Sequence, residues 1–167
     1  LTLDDATGAP TDLTCVDIPV GRVRGRMVLD AYALARIVDE QLDPARYPTL
    51  DLAVLEQGGV RPQNGRVGAS TFWLGLGVVR GILAAHFVPL EIVSPSGWKH
   101  AMRVTTDKDS SRLRASAIFP RWAGQWSRVK DHGRAEAALI ALHGAARFPR
   151  GGRQFGVSNA RLEGVGA

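Results

Sequence analysis

Glu56 closes the largely apolar run Leu50-Asp-Leu-Ala-Val-Leu55 and stands just before a glycine pair, Gly58 and Gly59. A short apolar run bounded by turn formers is the pattern of a buried strand. Ligand sites in open α/β sheets gather at the carboxyl ends of such strands. A carboxylate there is a candidate ligand or acid–base group. Read alone, such a residue is more often a solvated side chain opening a loop.

A second group lies in Lys130-Asp-His-Gly-Arg-Ala-Glu-Ala-Ala-Leu-Ile-Ala141, where Asp131, His132 and Glu136 crowd one helix start ahead of an apolar anchor. Residues four apart share a helix face, so His132 and Glu136 point the same way if the helix begins early. Asp131 sits one residue further out and reaches in from the cap. Carboxylates with one imidazole are hard ligands suited to magnesium or manganese. The alternative is ordinary capping, since acidic groups near a helix N-terminus are stabilised by its dipole.

Two further segments carry cations and an aromatic: Val93-Ser-Pro-Ser-Gly-Trp-Lys-His100 and Thr106-Asp-Lys-Asp-Ser-Ser-Arg112. Trp98 reads as a core plug. Lys99 and Lys108 are open between solvated side chains and contacts to a nucleic-acid backbone. Other chemistries find no support. No paired CxxC is present for a structural zinc, and neither a phosphate-binding GxxxxGK[ST] nor a GxSxG nucleophile motif occurs. His86, His100 and His143 are scattered and need no special role.

The elements that must position these residues follow from periodicity and breakers. Residues 1–4 read as the end of a strand. A turn follows at 5–10, and residues 13–19 alternate well enough to be its hairpin partner. Residues 21–26 form a basic loop, and 28–42 carry apolar residues at helical spacing. Strands are expected at 50–55 and 90–93, with a glycine- and arginine-rich loop at 58–68. An apolar helix is expected over 69–86, and further helices over 95–102, 107–119 and 135–146, the last starting near Asp131 or His132. This order predicts an α/β domain with one mixed sheet flanked by helices, over residues 1–146. Residues 147–167 read as a Gly/Arg-rich tail.

The bulk numbers bound the rest. The 167-residue chain is 45% hydrophobic, which suits one domain with a real core. Its net charge is +5, and 18 arginines against 3 lysines supply the positive side. Arginine's planar fork suits phosphate, though composition supports a polyanion partner only weakly. The single cysteine, Cys15, forms no internal disulfide and fits a reducing cytosol. No series resembles a signal peptide, and the apolar runs are read as interrupted short of the roughly 18 residues a membrane span needs. The expectation is a cytoplasmic protein that does not engage a membrane.

Taken together, the segments resemble the RuvC family of Holliday junction resolvases, above all its small phage and prophage forms. Ala53-Val-Leu-Glu-Gln57 resembles the family's strand ending in a catalytic glutamate. Ser70-Thr-Phe-Trp-Leu-Gly-Leu-Gly-Val-Val-Arg-Gly81 is similar to its central helix. The Trp98-Lys99 and Asp107-Lys-Asp-Ser-Ser-Arg112 segments follow in order, and the 130–141 segment resembles the closing acidic helix. The resemblance covers roughly residues 1–146 and implies an RNase H-like fold, a homodimer, and magnesium-dependent hydrolysis of branched DNA near a four-way junction. By position it makes Glu56 a metal ligand. It puts Glu136 where the family has aspartate, with Asp131 or His132 as the remaining ligand. A pair of Mg²⁺ ions (Mn²⁺ as substitute) would lie about 3.5–4 Å apart. His132 is alternatively a proton relay to or from the attacking water. Lys108 is expected close to the scissile phosphate, and Arg61, Arg66, Lys99 and Arg112 along the DNA. The family's first strand, bearing an aspartate followed by proline and glycine, has no counterpart here, because residues 1–4 match the strand after it. That departure keeps two rivals in view: a branched-DNA binder with an impaired metal site, and an RNase H-like nuclease for hybrids or flaps.

Overall fold

The computed structural model describes residues 1–41, 50–59 and 65–148, and for Arg66 and Lys108 the backbone alone. Its elements are mixed α and β. Strands β1 (Thr2–Leu3) and β2 (Pro10–Asp12) form one antiparallel hairpin. Strands β3 (Val20–Val23) and β4 (Arg26–Leu29) form another, and β5 (Ala53–Glu56) pairs in parallel with β6 (Leu90–Val93). The helices are α1 (Ala31–Gln41), α2 (Gly65–Ala85), α3 (Pro95–Met102), α4 (Lys108–Ile118) and α5 (His132–Arg147), with 3-10 turns at Pro120–Trp126 and Val129–Asp131.

The α/β class expected from the sequence is therefore present, but the single mixed sheet is not. Among the described residues the strands form three separate two-stranded sheets. Part of the reason is visible in residues 13–19, expected as a strand. Two of their backbone groups are met by a side chain instead of by a neighbouring strand. Gln125 accepts from the Cys15 N–H at 2.7 Å and donates to the Leu13 carbonyl at 2.7 Å. Arg134 then grips Asp17 at 2.6 and 2.8 Å. With those two backbone groups satisfied, Leu13 and Cys15 pack on the core without a ladder, while Val16 and Ile18 stay exposed.

The basic loop expected at 21–26 is instead the β3–β4 hairpin, which also takes the first residues of the helix expected at 28–42. Arg24 and Gly25 both have positive φ (49° and 79°), the backbone of a two-residue turn whose twist matches its strands. Helix α1 then starts behind Asp30, whose carboxylate accepts from the Ala33 N–H at 3.0 Å.

The second half is built more tightly. Ser94 caps α3 by accepting from the Gly97 N–H at 3.1 Å, and Pro95 fits the first turn, where its missing N–H costs nothing. Arg103, in the left-handed conformation, ends that helix. Asp107 caps α4, and Pro120 follows its end. The core gathers Trp98, Ala115, Phe119, Trp126, Ala135, Ala138 and Leu139 around α3, α4 and α5, with Leu13, Val93 and Val104. Helix α5 lies so close to β5 that a Cβ on Gly144 would sit 2.2 Å from Val54 Cγ2. Only glycine allows that approach, which fixes the strand carrying Glu56 against the helix carrying Glu136.

Helix α2 departs from the expectation of interrupted apolar runs. Val67–Ala85 is long and apolar enough, by length and composition, to cross a bilayer, and almost none of it is buried.

Candidate functional site

Glu56 is the last residue of β5, in register with Val93 of β6, and the next amide, Gln57 N–H, donates to the Val93 carbonyl at 2.7 Å. Its carboxylate accepts from the Trp98 indole, Nε1 to Oε2, at 2.5 Å. Lys99, the next residue of α3, lies with Nζ 5.3 Å from the Trp98 ring centroid and 3.7 Å from Glu136 Oε1. Ser111 of α4, itself buried, donates to the same Glu136 oxygen at 3.3 Å. Four elements thus converge on one polar cluster: Glu56 from β5, Trp98 and Lys99 from α3, Ser111 from α4 and Glu136 from α5. The two carboxylates have different partners. They are joined through the indole and the ammonium.

Lys99 and Glu136 each keep about a quarter of their side-chain surface exposed, 26% and 28%. The cluster is therefore open to solvent at that end and closed at the indole, since Trp98 has no exposed surface. Two carboxylates against one ammonium leave it acidic. The donors are carboxylate and hydroxyl oxygens, the class a hard divalent cation takes.

α5 begins at His132, one turn before Glu136, and Asp131 and His132 make contacts of their own. Both oxygens of Asp131 are held by the guanidinium of Arg128, at 2.8 and 2.9 Å, and that fork keeps its carboxyl below the usual carboxylate range. Asp131 occupies the N-cap position of α5 yet makes no side-chain cap bond. The capping reading thus gives way to a local ion pair. His132 Nδ1 is 3.3 Å from the Val129 carbonyl, within its own turn. Asp131, Arg134 and residues 13–18 line a cavity of about 440 Å³ that neither Glu56 nor Glu136 borders. Among the described residues no group of three or more His, Cys, Asp or Glu side chains converges as a metal site.

Of the expected phosphate contacts, Arg112 keeps Nε and Nη1 buried without a hydrogen bond, its nearest partner being Asp109 at 3.6 Å. Lys108 opens α4 one turn before Ser111, and Arg66 lies in the first turn of α2. Arg61 lies outside the described residues, as do residues 149–167 of the expected tail. Sequence reading missed two members of the cluster. Ser111 was legible only as part of the cation-bearing 106–112 segment, and Trp98 as a core plug. The structure makes Trp98 both, burying its rings while its single polar atom binds the carboxylate of Glu56.

No family model matches the chain, and no curated protein is significantly similar to it in sequence.

Proposed function

We propose that this chain is a metal-dependent, structure-selective endonuclease of the RuvC-like kind, hydrolysing phosphodiester bonds in branched DNA such as a four-way junction. One observation carries the reading. Glu56 and Glu136, remote in sequence and on different elements, meet the adjacent residues Trp98 and Lys99. A strand-end carboxylate joined to a helix carboxylate in an acidic, half-open cluster is what a hard cation needs on the protein side. The donor set fits in kind, with Glu56 and Glu136 as the protein ligands and water and phosphate oxygens completing the coordination. Bound there, magnesium or manganese would supply an activated water and counter-charge for the leaving 3′ oxygen.

The chain's own residues account for the rest. Ser111 fixes the Glu136 carboxylate by donation, and Lys99 balances its charge. Arg112 and Lys108 of α4 are the proposed phosphate contacts, together with Arg61 and Arg66. An RNase H-like fold is the finer form proposed for the α/β order. The exposed face of α2, with Trp73 and Leu74 54% and 68% exposed, is the proposed contact with a second copy. A twofold dimer suits a substrate cut on two strands, and the site of action is the bacterial or phage-infected cytoplasm.

Glu56→Gln tests the assignment. Magnesium-dependent cleavage of a synthetic four-way junction should fall by about a thousandfold or more, the scale of losing a principal catalytic group, while junction binding in a gel shift persists. A fully active variant removes the site.

A second reading has its own observation. Because Arg128 takes both oxygens of Asp131, the cluster is left with two carboxylates. That favours a RuvC-like scaffold that binds branched DNA without cutting it. Tight junction binding with no cleavage of junction, flap or RNA–DNA hybrid across magnesium and manganese concentrations would select it. Preferential hybrid or flap cleavage would select the RNase H-like rival.

A further inference from the structure

We infer that Trp98 is the positioning residue for Glu56: its indole N–H sets the orientation of that carboxylate and, through Lys99, the gap to Glu136. In its metal-binding consequence the inference rests on the nuclease reading; the hydrogen bond itself does not. Trp98 is wholly buried, and its one polar atom is spent on Oε2 of Glu56. A buried indole N–H requires a partner, and the fold offers it a carboxylate on a neighbouring strand. Both partners hang from the same point. Val93 pairs with Glu56 across the sheet, and the chain leaves Val93 through the Ser94 cap directly into α3. Arg114 fastens the far end of α3 by donating from Nε to the Met102 carbonyl at 2.8 Å. The indole therefore has little freedom to follow Glu56; Glu56 must follow the indole.

The same ring serves as a spacer. Its N–H edge meets Glu56, and Lys99, whose Nζ lies 5.3 Å from the ring centroid, reaches Glu136. Donation to Oε2 leaves Oε1 of Glu56 to take a cation. A hydrogen bond to a metal-ligating carboxylate from outside the coordination sphere typically contributes about 10- to 100-fold in metal affinity or activity.

Two measurements on the full chain test this. In the first, the indole Nε1–H resonance of Trp98 is assigned by its loss in Trp98→Phe and followed in Glu56→Ala. The resonance should move and its solvent exchange quicken, whereas those of Trp73, Trp122 and Trp126 stay put. An unmoved Trp98 resonance overturns the inference whether or not the protein cuts DNA. In the second, Trp98→Phe keeps most of the apolar volume and removes only the donor. Calorimetric Mn²⁺ affinity and the Mg²⁺ concentration for half-maximal cleavage should both weaken by about 10- to 100-fold, with a smaller loss at saturating metal. A folded Trp98→Phe protein with unchanged metal requirement overturns it. Should the wild type bind no metal and cut nothing, the nuclease reading fails, while a shifted indole resonance in Glu56→Ala still upholds the orienting bond. If Trp98→Phe fails to fold, the Trp98 resonance is assigned by elimination from the single Phe substitutions of Trp73, Trp122 and Trp126, and the Glu56→Ala measurement then decides alone.

Discussion

The stretch from Leu90 to Phe148 and the stretch before it use their apolar residues in opposite ways. Among the described residues, only Leu13, Leu83 and Val88 of the buried apolar side chains precede Leu90. Only Ile92, Leu113 and Val129 of the large apolar side chains left exposed follow it. The later stretch closes on itself through α3, α4 and α5, with Phe119 edge-on to both Trp122 and Trp126. The earlier one leaves Val16, Ile18, Val20, Val23, Met27, Tyr32, Trp73 and Leu74 facing outward. Isolated exposed apolar residues are ordinary, but so many in one part of a chain mark surface that has not yet found its cover. The candidate site belongs to the packed part. Only Glu56 comes from the earlier stretch, and β6 and α5 hold its strand.

The widest gap between the two parts should be in side-chain truncation. Phe119→Ala removes a wholly buried ring and should cost about 3–5 kcal/mol, read by urea denaturation. Leu74→Ala, at 68% exposure, should lie within about 0.5 kcal/mol of wild type. A large loss for Leu74→Ala that grows on dilution would mean that a second copy covers α2. Sedimentation would then show the variant dissociating where the wild type does not. Equal costs at the two positions would dissolve the distinction altogether.

Glycine sharpens the contrast with one chemical change of two signs. Gly144→Ala drives a methyl group into Val54 Cγ2, which a Cβ would meet at 2.2 Å, and must push α5 away from β5. Overpacking of that kind costs about 1–3 kcal/mol, or a fall in Tm of several degrees. It should also weaken any Glu56-dependent activity, because the displaced strand carries Glu56. Gly77→Ala on α2 meets nothing within 4 Å and restricts only the unfolded chain. There the expected change is a gain of about 0.4–1 kcal/mol. A destabilised Gly77→Ala protein would show that something packs closely on that helix face.

How far the sequence disclosed all this depended on whether a feature was local. Strand β6 and helix α3 fall at the expected residues, and α4 and α5 within a residue or two at most ends, because caps, prolines and apolar spacing act over one or two turns. Glu56 at a strand end was legible for the same reason. The β3–β4 hairpin was not, since Arg24 rather than glycine or asparagine takes the first positive-φ position of its turn. Residues 13–19 alternate like a strand but lie against α5, because Gln125 and Arg134, more than a hundred residues away, satisfy them. Within the cluster, the bonds from Trp98 to Glu56 and from Ser111 to Glu136 are tertiary, and no spacing rule announces them. Asp131 makes no cap bond for the reverse reason. Its partner Arg128 is only three residues away, and a bidentate guanidinium is a stronger claim on a carboxylate than a helix end.

The smallest effect in view separates the two parts by pH. His143 is buried on α5, and burial, with a lesser push from the Arg147 charge, lowers its pKa from the ordinary 6.5. In the unfolded chain the imidazole takes up a proton near that ordinary value; in the folded chain it resists. Between the two values the unfolded state binds more protons, so stability rises with pH across this window. The contribution is fully present above about pH 6.5 and is lost as the pH falls toward the lower folded value. Thermal melts at successive pH values from 7.5 to 5.5 should therefore show Tm falling as the pH falls. His143→Gln, which cannot titrate, should flatten that part of the profile while lowering Tm at neutral pH through its poorer packing. A profile equally steep in His143→Gln would trace the acid sensitivity to another group and leave the packed part without its pH signature.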